Sequence, residues 1–280
     1  RIIAHDALKE MLTKLKRLDY PELFFGFVAP IGATLDTPKK AFRDFFEREG
    51  YRVVEIKVTE QFRPFEPYII PETPLQRTPH YQRLKSHIAY GNQLRKTFDD
   101  DAVLAAATIR RLIRKRAALV ASGGTPFEKV AYLLHQFKRK EEIALLRSVY
   151  GRLFFQISAY SRKGARIEKL AREFARSSRQ SHSENSKDQA EEIVKQDADE
   201  AAVPHGQRVS KIFHDAEFII DLDCDNPSPP MQVERFFEIL FSSNRFSPSK
   251  MEYGMFAAKG AALRSLDLSR QVGAAIFSRT

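Results

Sequence analysis

The sequence predicts an α/β fold with a doubly wound, mostly parallel sheet, and three observations predict it. Short apolar runs such as Leu23–Val28 and Lys129–His135 recur along the chain, each too short for a helix and bounded by turn residues. Between them lie segments whose apolar residues repeat at helical spacing, as Ala41, Phe42, Phe45 and Phe46 do. The first run also leads through a Pro- and Gly-containing turn into one of these helices and then into a second run, an order that builds a right-handed parallel crossover.

Taken in order, Arg1 to Asp19 reads as an amphipathic helix rich in Lys and Arg, without the apolar centre of a signal peptide. Leu23–Val28 is the first strand and Ala29–Asp36 its turn. Thr37 is a good N-cap with Pro38 at the first helical position, and Gly50 closes that helix. Tyr51–Val58 is the next strand. Gln61 to Pro79 is irregular and Pro-rich, and helices follow at Tyr81–Arg95 and Ala102–Ala121, joined by the acidic Asp99-Asp100-Asp101. Lys129–His135 and Arg152–Ser158 are strands around a helix at Glu141–Tyr150. The basic helix Gly164–Arg176 precedes a last interior strand at Ala216–Asp221.

Ser177 to Ala202 breaks this alternation. It is polar and almost free of large apolar residues, so it reads as a mobile insert able to form a lid helix over a ligand site. Asn226-Pro-Ser-Pro-Pro230 is a stiff linker. Beyond it a helix at Gln232–Phe241, a long helix at Lys250–Gln271 and a strand at Val272–Phe277 are expected. The predicted organisation is a nucleotide-type domain over 1–225 with its insert at 177–202, a linker and helix over 226–249, and at 250–280 the start of a second domain that this sequence leaves unfinished.

Composition narrows the function. The formal charge is +10, from 46 Lys and Arg against 36 Asp and Glu, which suits a phosphate-bearing ligand, anionic lipid or nucleic acid. No zinc finger, RNP-like aromatic motif or helix-turn-helix accompanies the charge, so nucleic acid is not the favoured partner. No apolar run reaches the roughly 18 residues of a membrane span. Cys224 is the only cysteine, which excludes an internal disulfide or a CxxC metal site in this sequence and suits a cytoplasmic setting. The seven histidines form no HxxxH or HExxH pair, and no GxSxG elbow marks a nucleophile. Asp221, Asp223 and Asp225 alternate but lack the glycine and final Glu of a calcium loop, and read as a solvated strand end.

A phosphate loop needs small residues that let backbone N–H groups reach the anion, a Lys for the β and γ phosphates and a Ser or Thr for magnesium. Aligned on Gly32, the sequence offers Phe27-Val-Ala-Pro-Ile-Gly-Ala-Thr34. Gly32 and Thr34 fit, Phe27 takes the first glycine position and Ala33 the lysine position. Without that lysine, phosphoryl transfer loses its main positive clamp. Two readings stay open: a degenerate nucleotide loop comprising Pro30, Gly32, Ala33 and Thr34, with magnesium accompanying the nucleotide, or an ordinary turn that uses the backbone freedom of Gly32. Arg83, Asn92 and Arg95 on the following helix, and Arg162, Lys163 and Arg166 after the third interior strand, are candidates for further phosphate or base contacts. Each also reads as a charged, solvated helix face.

Three stretches carry a family resemblance: Phe25–Asp36; Lys140–Phe154 with Gly206-Gln-Arg-Val209; and Glu252-Tyr-Gly-Met-Phe-Ala-Ala-Lys-Gly-Ala-Ala-Leu-Arg-Ser-Leu-Asp-Leu-Ser-Arg-Gln-Val-Gly-Ala-Ala-Ile276. Together they resemble the antiphage dCTP deaminases, in which a P-loop kinase-like domain precedes a zinc-dependent deoxycytidylate-deaminase-like domain. The resemblance implies an N-terminal nucleotide-binding or regulatory part of a protein that deaminates a deoxycytidine nucleotide. It also implies dCTP or a related nucleotide as ligand, while long helices ending in a shared strand suggest a homo-oligomer. The third stretch would be the first helix and strand of the deaminase fold, with Arg264, Ser265, Arg270 and Gln271 on its substrate side. In such enzymes a zinc held by His and two Cys activates water while a Glu shuttles protons. That HxE and PCxxC signature does not occur in these 280 residues, so no residue here is assigned a catalytic role. The remaining readings are a P-loop nucleotide or nucleoside-monophosphate kinase-like protein, and a basic interaction module without enzymatic activity.

Overall fold

Five strands, β1 (Leu23–Val28), β2 (Arg52–Lys57), β3 (Val130–His135), β4 (Phe154–Tyr160) and β5 (Phe218–Asp221), form one parallel sheet in the order β2-β3-β1-β4-β5 in the computed structural model. The structure describes residues 20–124, 127–178, 184–200, 203–267 and 271–278; the helix expected at 1–19 lies outside them. The chain divides into two units, residues 1–233 and 234–280, and the sheet belongs to the first.

β1 sits at the centre of the sheet and all six of its residues are buried, as an apolar run with no polar alternation requires. Successive side chains point to opposite faces. On one face Phe25 and Phe27 meet the rings of Phe42 and Phe46 on α1 (Asp36–Arg48), with centroids 5.1 to 5.3 Å apart. On the other, Phe24 stacks on Tyr132 at 5.0 Å and on Tyr150 at 3.8 Å. The next residue on that second face is Gly26, where a Cβ would stand 2.5 Å from the Phe154 ring. Helices α3 (Val103–Ala121) and α4 (Lys140–Tyr150) cover this second face, joining Leu104, Leu112 and Leu146 to Phe24 and Tyr132 in the main core. Each buried large apolar side chain contributes roughly 2 kcal/mol.

A second apolar cluster joins three helices. Tyr81 and Ile88 of α2 (His80–Phe98), Leu170 and Phe174 of α5 (Lys163–Ser178), and Ala190, Ile193 and Val194 of α6 (Glu184–Ala198) pack together, with Ile31 of the loop after β1 against them. The polar stretch expected as a mobile insert therefore contains a helix that spends its few apolar residues on one buried face. The polar remainder that lowered the sequence signal is the outer side of that helix.

Other expectations need correcting. The N-cap of α1 is Leu35, with no side-chain cap, and Thr37 and Pro38 lie inside the first turn. Proline is accommodated there because first-turn N–H groups have no intrahelical acceptor. The expected linker runs into a helix, α8 (Pro229–Leu240), which follows the one-turn α7 (Val209–Ile212); its two leading prolines again fall in the first turn. In the second unit, α9 (Lys250–Ala262) starts at a capping box formed by Ser249 and Glu252. It ends nine residues before the expected Gln271, as Ser265 Oγ accepts from Asp267 N–H in a turn. The described residues 271–278 form no strand. No neighbouring strand stands there among the described residues to complete a ladder, and Gly273 packs closely against the Ala258 carbonyl of α9.

Candidate functional site

The site is assembled at the carboxyl ends of the strands, where an open parallel sheet leaves a crevice between diverging connections. Its first part is the loop between β1 and α1. Ala33 N–H donates to the Pro30 carbonyl at 3.1 Å and closes a tight turn. Gly32 holds φ at +85°, and a Cβ there would lie 3.0 Å from that of Arg166, so both backbone conformation and space call for glycine. The N–H groups of Gly32 and Thr34 donate to no protein acceptor among the described residues.

Cations converge on this turn from separate elements. Lys57 ends β2 and Arg83 lies on the first turns of α2; both line a cleft of about 200 Å³ with Ile31, Gly32, Ala33 and Lys169. Neither Lys57 nor Arg83 makes a side-chain hydrogen bond or ion pair among the described residues. Burial, and then the charge of Arg83, lower the pKa of Lys57 against the opposing pull of Glu60 and Asp36, as expected of a half-buried ammonium with no direct ion pair. Burial also lowers the pKa values of His80 and His87 on the same wall. The one carboxylate lining this cleft is Glu173, 3.7 Å from Lys169 and 3.4 Å from His80 Nδ1.

Two further lysines already have partners at the loop. Lys169 Nζ donates to Thr34 Oγ1 and, at 3.4 Å, to the Gly32 carbonyl. An ammonium thus stands at the hydroxyl expected to meet magnesium. Lys138, just beyond β3, donates to the Ala29 carbonyl at 2.9 Å and to Asp197 Oδ1 at 2.7 Å. The other oxygen of Asp197 accepts from Ile31 N–H at 2.7 Å. A buried carboxylate from α6 therefore occupies one of the loop's anion-accepting N–H groups. Beside it is a smaller cavity of about 120 Å³, lined by Ala29–Ala33, Val58, Phe62, Leu84, Arg95, Gln136 and Gln207 among others. Two atoms of its lining residues, Arg95 Nε and Gln207 Oε1, are buried with no hydrogen-bond partner, a condition that a polar ligand or solvent relieves.

The residues singled out in the sequence are divided by the structure. Pro30, Gly32 and Ala33 line the cavities, and Thr34 lines the neighbouring groove with Arg166 and Lys169. Arg83 faces the cleft. Asn92 donates to Glu200 at 2.8 Å, while Arg95 donates to Glu142 at 2.9 Å with both side chains buried. That second pair ties α2 to the start of α4, where Glu142 also accepts from the N–H groups of Lys138 and Arg139. Arg162 is held by Asp223, and Arg166 braces the loop through the carbonyls of Ile31 and Ser161. Arg264, Ser265 and Gln271 lie in the second unit, with Gln271 donating to the Ser265 carbonyl at 3.4 Å; Arg270 lies outside the described residues. Sequence reasoning missed Lys57, Lys138, Lys169 and Asp197. For Lys57 a signal existed, since it closes a strand at the end of the sheet where ligands sit. The other three are brought in by the packing of later elements.

No three His, Cys, Asp or Glu side chains converge to hold a metal among the described residues. No helix of the described residues is long and apolar enough to cross a membrane.

Fold and site together define a parallel α/β domain with a strand–loop–helix turn at the carboxyl edge of its sheet. No protein-family model matches the sequence, and no curated protein does. Among solved structures, it is similar to a gluconokinase from Sinorhizobium meliloti 1021, 12% identical over 82% of this chain and 100% of that one, with a TM-score of 0.35. A putative fructose transport system kinase from Silicibacter sp. TM1040 is 11% identical over 75% of this chain and 95% of that one, with a TM-score of 0.38. The reading of function rests on the site itself.

Proposed function

We propose that the first unit is a nucleotide-binding domain of the degenerate P-loop kinase-like kind, holding the phosphates of its ligand between the loop after β1 and the cations Lys57, Arg83 and Lys169. One observation carries this reading: Lys57 and Arg83, from β2 and α2, make no ion pair among the described residues and line a cleft with Gly32, whose N–H has no protein acceptor among them. Backbone N–H groups at the start of a helix attract anions, and guanidinium and ammonium groups supply the charge that the missing loop lysine does not. Binding is the proposed activity. Phosphoryl transfer lacks the clamp that Ala33 leaves absent, and Lys138 is engaged by Asp197.

The finer reading, a regulatory site for a deoxycytidine nucleotide in a deaminase, is supported by the sequence resemblance alone, and it places dCTP among the ligands to test. Titration calorimetry with dCTP, ATP and the matching nucleosides tests both levels. The expected result is saturable binding of triphosphates and none of nucleosides, with Lys57→Met and Arg83→Met each weakening affinity about tenfold, or ~1.4 kcal/mol. Equal binding of nucleoside and triphosphate, or variants that bind like the wild type, contradicts the proposal.

A further inference from the structure

A groove of the first unit lies away from the loop, between α3 and the segment after β2, and has a volume of about 720 Å³. Its wall on α3 is a single helical stripe: Val103, Ala106, Ala107, Arg110, Arg111 and Arg114 recur at spacings of three and four. Val103, at the near end, is buried in the core together with Leu104, Ala105, Thr108 and Leu112, so burial fixes the stripe from Ala106 to Arg114 as the one that faces outward. The two alanines leave space at the near end of the stripe and the three arginines stand at the far end. Arg63 adds a fourth guanidinium from the facing segment, and Phe65, Phe98 and Pro64 supply an apolar surface. The rings of Phe65 and Phe98 meet edge to face at 5.6 Å, and Phe98 remains 49% exposed.

The four arginines make no hydrogen bond or ion pair among the described residues. Elsewhere in the unit, Arg95, Arg116, Arg139 and Arg147 are each answered by a carboxylate. The one carboxylate on the groove's lining is Glu60. Guanidinium is the group whose planar fork matches phosphate oxygens two at a time, and the exposed ring of Phe98 offers a face on which a flat ring stacks. The volume falls within the roughly 300–1,000 Å³ of small-ligand sites.

We propose that this groove is a second ligand site, distinct from the loop cleft, and that it takes a ligand combining phosphate groups with a flat heterocyclic base, a nucleoside polyphosphate. It does not depend on the reading of the loop. The test is titration calorimetry of the whole chain with ATP at 150 mM salt, repeated on Arg110→Ala/Arg114→Ala and on Lys57→Met/Arg83→Met, with a single-stranded dodecanucleotide as the polymeric source of the same groups. Arg110 and Arg114 are exposed and bonded to nothing, so the arginine pair variant is expected to unfold at the wild-type temperature. Its ATP isotherm is expected to lose one class of site, by tenfold or more in affinity, while the other class persists. If the loop reading alone fails, the arginine-sensitive site remains as the only one. An ATP isotherm unchanged by the arginine pair overturns the proposal. So does binding of the dodecanucleotide that ATP cannot displace, which would make the groove a nucleic-acid track.

Discussion

His135 closes β3 with its ring buried against the loop side of the sheet, and burial, followed by the charges of Lys39 and Lys57, pushes its pKa down to about 4. Glu55, 4.0 Å away, pulls in the other direction and loses. The unfolded chain takes up this proton near pH 6.5, so between about pH 6.5 and 4 the unfolded state binds more protons than the folded one. Stability is then complete above about pH 6.5 and falls as the pH drops towards 4, by on the order of 3 kcal/mol. Burial lowers His80 and His87 as well, which adds to the same trend. Thermal unfolding at pH 7 and pH 5 checks this: His135→Gln is expected to lose less stability over that interval than the wild type, whereas parallel losses would show that other groups carry it. At this scale the sequence was informative where backbone geometry or a strand end constrained the residue. Gly32 was legible because a turn between strand and helix demands it, and Arg83 because it lies one turn into the next helix. Asp197 was not, since a lone Asp in a polar stretch gives no hint of the N–H group that it will meet 166 residues earlier in the chain.

The strands, as elements, were legible because their apolar runs are short, central and bounded, and β1 was read to the residue. Helix α6 was legible only as a lid helix within an insert, because its buried face consists of a few small or β-branched residues amid charge. Its contribution to the site is an anion. The Asp197 carboxylate, 1% exposed, neutralises Lys138 and holds Ile31 N–H, so a phosphate approaching the loop meets a competing negative charge. Asp197→Asn keeps the shape and an acceptor oxygen while removing that charge. It is expected to cost about 1–3 kcal/mol of stability, because Lys138 is left without its counter-ion, and to tighten triphosphate binding by roughly tenfold. Weaker binding in this variant would mean that the carboxylate shapes the loop and does not compete at it. The strand expected at Val272–Phe277 failed for a complementary reason: period and composition favour extension, but a strand needs a partner to hydrogen-bond, and no sequence pattern supplies one.

For the whole molecule, the alternation of strands and helices made the parallel sheet legible, while the order β2-β3-β1-β4-β5 follows from which faces pack and was not. The charge of +10 is likewise placed only by the fold: among the described residues of the first unit, some cations are paired with carboxylates and others face the loop cleft or the arginine groove. The second unit leaves Met251, Met255, Phe256, Leu263, Leu266 and Ile276 largely exposed, more apolar surface than a small solvated unit ordinarily shows. Light scattering across a concentration series is expected to give a mass that rises above 32.2 kDa, and Leu263→Glu/Leu266→Glu is expected to return it to that value; a constant monomer mass contradicts this. The central claim, that the turn after β1 receives phosphate, is tested most directly by following the backbone amide resonances of Gly32 and Thr34 while dCTP is added. Saturable shifts at both amides with the triphosphate, and none with deoxycytidine, are the predicted result. Binding that leaves both amides unmoved would contradict the account.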